Sequence, residues 1–177
     1  DMRLYFAAEQ NTVVTVSIPG IGLPQTYNVA ANTVLASNII PKAGPQDVRL
    51  TGASTAPEDK GIHITSDRPI VAYAHIYNQS VSGATILYPT NTLGNDYYSV
   101  NYTNISNTGN SNCWFYVIAT DPGSTTVEIT PSAAAIGHPA GVTFSVTLNQ
   151  GQVYNVMGEY SGSSGSDLSG SRIRSVT

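Results

Sequence analysis

Apolar and polar residues alternate with a period of two along much of this chain, the spacing of strands that bury one face. From Thr12 to Ile18, Val14, Val16 and Ile18 share one face, while Val13, Thr15 and Ser17 share the other. Residues 125–129 and 144–148 alternate more strictly and turn Val127, Ile129, Phe144, Val146 and Leu148 inward. The run Cys113-Trp114-Phe115-Tyr116-Val117 is apolar on both faces, and Trp114 is expected in the core. Between Ile70 and Tyr77, a small-apolar face (Ile70, Ala72, Ala74, Ile76) backs onto Val71, Tyr73, His75 and Tyr77; the small face is expected to point inward. No segment shows a helical period with caps, and Gly and Pro are spread throughout.

Turn chemistry then predicts three hairpins. Ile62-His63-Ile64-Thr65 turns through Ser66-Asp67-Arg68-Pro69 into the strand at 70–77. Asn149-Gln150-Gly151 separates strands at 147–148 and 152–154, and residues 119–124 join the aromatic strand to the one at Thr125. The expectation is a meander of short antiparallel strands. Segment 41–60 reads as a surface loop and the Gly/Ser-rich segment 156–171 as a flexible one.

The pieces recur in the same order about 110 residues later. Phe6-Ala7-Ala8-Glu9 and the run at Thr12 return as Val117-Ile118-Ala119-Thr120 and the run at Thr125. Tyr27-Asn28-Val29 returns as Phe144-Ser145-Val146, and Gly61–Ser66 returns as Ser171–Ser175. This divides the chain into a first β unit, 1–110, and a second, shorter one, 111–177. The expected fold is all-β: antiparallel sandwich-like units with internal duplication, with propeller-like blades as the alternative. The second copy stops where the first runs on through Arg68-Pro69 into another strand. The strand at 172–176 is therefore expected to leave an unpaired edge, filled by a neighbouring molecule or a further stretch of chain.

Composition narrows the function. Charged residues are 10% of the chain, against about 25% in an average globular protein. The seven basic residues are scattered and the net charge is -4, so no phosphate-tracking groove is expected and nucleic acid is not an expected partner. No apolar run reaches membrane-spanning length. Cys113 is the single cysteine and reads as a small buried hydrophobe. The chain opens on Asp1 without a signal sequence, as a processed form or a fragment would.

Catalytic and metal constellations are not expected. His63, His75 and His138 have no metal-ligand spacing with one another or with Cys113. There is no nucleophile elbow and no phosphate-binding Gly loop. Asp121 and Asp167 lie in Gly/Ser loops but lack the dense acidic spacing of a calcium loop. Asn78, Asn101 and Asn104 each open an Asn-x-Ser/Thr sequon. Eleven Tyr against three Phe and one Trp favour half-exposed aromatic surface. The candidate ligand or partner surface is Tyr73, His75, Tyr77 and Tyr97, with packing under a loop or second sheet as the plainer reading. No residue is assigned to catalysis, cofactor or metal.

Several strings carry a resemblance. They are Gly61-Ile62-His63-Ile64-Thr65-Ser66-Asp67-Arg68-Pro69-Ile70-Val71-Ala72-Tyr73, Ile86-Leu87-Tyr88-Pro89 and Leu93-Gly94-Asn95-Asp96-Tyr97-Tyr98-Ser99-Val100. Thr125-Thr126-Val127-Glu128-Ile129 and Asp167-Leu168-Ser169-Gly170-Ser171-Arg172-Ile173 follow. In that order they resemble the N-terminal domain family of the IgGFc-binding proteins, with its many bacterial surface and secreted members. The resemblance implies an extracellular, non-enzymatic adhesion or binding module, secreted or at the cell surface, whose partner is a host or neighbouring-cell glycan or protein. The alternative is a structural subunit of a surface layer or filament that pairs strands with copies of itself.

Overall fold

A computed structural model describes residues 1–18, 24–79, 81–107, 109 and 111–176. Their strands are β1 (Met2–Ala8), β2 (Thr12–Ser17), β3 (Gln25–Val29), β4 (Thr33–Ala36), β5 (His63–Ser66), β6 (Val71–Asn78), β7 (Val81–Leu87), β8 (Asp96–Tyr98), β9 (Trp114–Ile118), β10 (Ser124–Thr130), β11 (Phe144–Asn149), β12 (Val153–Met157), β13 (Tyr160–Ser161), β14 (Ser164–Gly165) and β15 (Arg172–Ser175). A single 3-10 turn at Thr90–Thr92 is the helical element among them. The protein is all-β and antiparallel, in sandwich-like units.

Contacts group the chain into two compact units: Asp1–Arg49 with Lys60–Leu93, and Leu50–Asp59 with Gly94–Thr177. The first holds a sheet β4-β1-β6-β7 and a sheet β3-β2-β5. Leu4, Phe6 and Ala8 of β1, with Ala72 of β6, pack into one core with Val14 and Val16 of β2 and Val29 of β3. Small and large alternate across the pair: Phe6 lies opposite Ala72 and Leu4 opposite Ala74. The second unit holds β11-β10-β15-β8, the pair β12-β9 and the hairpin β13-β14. Val127, Ile129, Leu148, Val156, Leu168 and Ile173 are buried in its core.

Five of the eight residues expected in the core, Val14, Val16, Val127, Ile129 and Leu148, are fully buried. Phe144 and Val146 are half-buried and pack against the second core. Trp114 is a correction: it is 51% exposed. Phe115, Val117 and Ala119 take the inward face of β9, so Trp114, Tyr116 and Ile118 must face out.

The expected hairpins are also corrected. β5 and β6 lie in different sheets, as do β9 and β10, and β11 and β12. Each short connection carries the chain from one sheet to the other. Alternation marks a strand with one buried face, but both sheets of a sandwich bury a face in the same core. The hairpins that do form are β2-β3, β6-β7, β10-β11 and β13-β14. Segment 156–171, expected as a flexible loop, contains the β13-β14 hairpin. It is tied to residues 104–111 through Gly165 N to Asn104 O (2.9 Å), Ser106 N to Ser163 O (3.0 Å) and Ser111 Oγ to Ser163 O (2.8 Å).

A third correction concerns the end of the chain. β15 is paired on both sides, to β10 and to β8, so Arg172–Ser175 presents no free edge. Thr177 lies outside the described residues.

Candidate ligand-binding surface

β6 is held between β1 and β7, with Tyr73 opposite Tyr5 and His75 opposite Arg3 on one side, and Ile86 and Ala84 on the other. Its inward face is set by Ala72, which is buried, and Ala74; Ile76, expected inward with them, is instead 57% exposed. The outward face carries Tyr73, 40% exposed, with His75 and Tyr77 half-buried. The His75 ring lies 5.3 Å from that of Tyr77 and 6.2 Å from that of Tyr5, tilted against both. Its Nε2 is 2.9 Å from Ser82 Oγ on β7. Three of the four candidate residues thus share one outward face of β6, and the rings of Tyr5, His75 and Tyr77 lie side by side on it. Tyr97 lies on β8 of the second unit, where its hydroxyl accepts the Gly94 N–H.

The second unit has an aromatic row of its own that sequence reasoning missed. Trp114 and Tyr116 stack with centroids 5.9 Å apart and planes 19° from parallel, both about half exposed. Asn101 Nδ2 donates to Trp114 O at 3.0 Å, which brings the segment of Val100 and Tyr102, 93% and 73% exposed, alongside. The signal was present in β1: Arg3-Leu4-Tyr5-Phe6 matches Trp114-Phe115-Tyr116-Val117, and Arg3 belongs in water.

The groups with shifted pKa values are held by neighbours within their own units. His138 stacks on Phe144 with ring centroids 3.5 Å apart, Nε2 lies 3.2 Å from Tyr154 Oη, and burial lowers its pKa. Burial raises that of Tyr154. The Asp67 carboxylate accepts from Thr12 Oγ1 and from Val13 N (2.8 Å), which hold its pKa down and pin the β5-β6 connection to β2. Asp167 accepts from Ser169 Oγ and N within its own turn, which lowers its pKa. Among the described residues, no three His, Cys, Asp or Glu gather to hold a metal ion. Cys113 is buried and free.

The cavity beneath Leu4, Val16 and Tyr27 has about 10 Å³ of room, scarcely a water molecule. A second, open cleft of about 520 Å³ in the same unit is lined by Glu9, Asn32, Val34, Arg68, Pro69 and Ile70.

A family model described as IgGFc binding protein matches residues 83–177, more than half of the chain. The chain belongs to the IgGFc-binding family. The matched residues run from within β7 through β15 and include Trp114, Tyr116 and Tyr97. No curated protein and no solved structure matches. Membership places the chain in a family of binding domains, and no described helix is long and apolar enough to cross a membrane.

Proposed function

We propose that the protein is a non-enzymatic binding module of a secreted or cell-surface protein, and that the outward aromatic row of β6 contacts the ligand. The row of Tyr5, Tyr73, His75 and Tyr77 is the observation that carries this reading. Aromatic rings fixed on a sheet present large contact area at little entropic cost and stack on sugar rings or on a protein surface. The ligand is a host or neighbouring-cell glycan or protein, and Tyr97 contributes through its own unit. Family membership supports protein binding, and the family's name makes the immunoglobulin Fc region the first ligand to try.

The test is binding to purified Fc and to a glycan array, before and after the triple change Tyr73→Ser, His75→Ser, Tyr77→Ser. Loss of a ligand with unchanged circular dichroism supports the reading. Unchanged binding by the triple variant overturns the row as the contact.

A second reading, a surface-layer or filament subunit, is favoured by one observation: among the described residues β7 ends its sheet and has no buried residue. Light scattering that shows concentration-driven polymers would favour it over a monomeric binder. Under either reading, the matching strand patterns of the two units are the product of internal duplication.

A further inference from the structure

The two units pair several strands in matching patterns, and among the described residues the match breaks in two places: β8 lies beyond β15 with no counterpart beyond β5, and β9 lacks the strand that β6 gives β1. β2 lies between β3 and β5, and β10 between β11 and β15. The registers correspond: Val14 faces Tyr27 and Ser66, and Val127 faces Val146 and Ser175. β1 pairs with β4 as β9 pairs with β12, with Phe6 opposite Leu35 and Val117 opposite Tyr154. Yet β1 has β6 on its other edge, whereas among the described residues no strand lies on that edge of β9.

The hydrogen bonds show which groups that edge offers. Leu4 O accepts from Ser37 N (2.8 Å) on the β4 side, while Asp1 and Tyr77 exchange both backbone bonds (2.9 and 3.0 Å) on the β6 side. In β9, Cys113 O accepts from Gly158 N (2.7 Å) and Ala119 N donates to Gln152 O (3.1 Å). An antiparallel ladder alternates, so Phe115 and Val117 also address β12, and the N–H and C=O groups of Trp114, Tyr116 and Ile118 point to the open edge. Asn101 Nδ2 engages the Trp114 carbonyl there, the place where β6 contacts Arg3. Side-chain burial agrees. Leu4 and Phe6, next to Ala74 and Ala72 of β6, are 2% and 0% exposed; their counterparts Phe115 and Val117 are only half-buried.

We propose that the free edge of β9 is a strand-acceptor site, and that its occupant is an extended segment of a partner polypeptide with the chemistry of β6. The segment lies antiparallel to β9. It turns small apolar side chains inward over Phe115 and Val117 and aromatic ones outward beside Trp114 and Tyr116. Backbone bonds to Tyr116 and Ile118 and to the Trp114 N–H supply affinity, the Trp114 carbonyl being held by Asn101 Nδ2, and the small inward residues supply selectivity.

The test is titration of the whole chain with a peptide copying Arg68–Asn78, read through Trp114, the only tryptophan present. Saturable quenching or a blue shift of its emission, with a raised melting temperature, is expected. N-methylation of the peptide at the positions of Val71 and Tyr73, whose amides would face the Ile118 and Tyr116 carbonyls, should weaken binding by about tenfold or more. N-methylation at those of Ala72 and Ala74 should be tolerated. No response, an equal response to a peptide of scrambled order, or equal loss from both methylation patterns would overturn the proposal. So would self-association of the chain through this edge that the peptide does not compete away.

Discussion

Single residues set the tolerances of the second unit. A Cβ at Gly165 would sit 1.9 Å from Ser111 O and 3.2 Å from Cys113 N, both backbone atoms that cannot swing aside. Gly165→Ala should therefore cost about 3 kcal/mol in urea unfolding, the upper end of overpacking costs. Gly83→Ala on β7, with open space around it, should be within about 0.5 kcal/mol of the parent. Cys113, 2% exposed, should resist thiol reagents in the native state and react once the protein is unfolded. His138 gives a pH slope. Burial depresses its folded pKa below the ordinary value of about 6.5, so the folded state favours the neutral ring. Its contribution is fully present above that ordinary value and is lost as pH falls through the folded one. The melting temperature should fall on acidification from neutral pH, and His138→Phe, which keeps an aromatic partner for Phe144, should flatten that part of the profile.

At the scale of elements, the two faces of β9 separate what burial stabilises from what exposure offers. Trp114→Ser should change stability by about 0.5 kcal/mol or less, as exposed positions do. Ile129→Ala on β10, fully buried, should cost about 2–5 kcal/mol by the same urea measurement. A large loss from Trp114→Ser would mean that the strand turns its other face to the core. Strand positions and inward faces were legible because a period of two survives in the residues themselves, as in Val14, Val16 and Ile18. Pairing was not. Asn149-Gln150-Gly151 reads equally well as a hairpin turn or as the arch that it forms between β11 and β12. Tyr27-Asn28-Val29 was matched two residues out of step, because Val14 faces Tyr27 and Val127 faces Val146, not Phe144. The candidate row was half legible: alternation put Tyr73, His75 and Tyr77 on one face, but nothing local could say that Tyr5 of β1 lies beside them.

For the whole molecule, scarce charge predicts little electrostatic dependence. The described ion pairs, Arg49–Asp47, Arg172–Asp96 and Arg174–Glu128, lie at the surface, so the melting temperature at neutral pH should move little between low and high salt. Acid should act more strongly. Asp47, Asp67, Asp96 and Asp167 all have folded pKa values below the ordinary carboxylate range, through hydrogen bonds first of all. Their contribution is present above that range and is lost as pH falls through the folded values, a second decline below the one at His138. The sequence by itself determined the all-β class, the family, the sparse charge and the inward faces of single strands, because each is written in local composition or in a short period. The tertiary structure alone decided which strands share a sheet, that β15 is sheltered between β10 and β8 while among the described residues β9 has a strand on one edge only, and that Trp114 is half exposed. Those outcomes depend on backbone hydrogen bonds between residues far apart in the chain, and a backbone amide carries no mark of its partner in the side chain beside it.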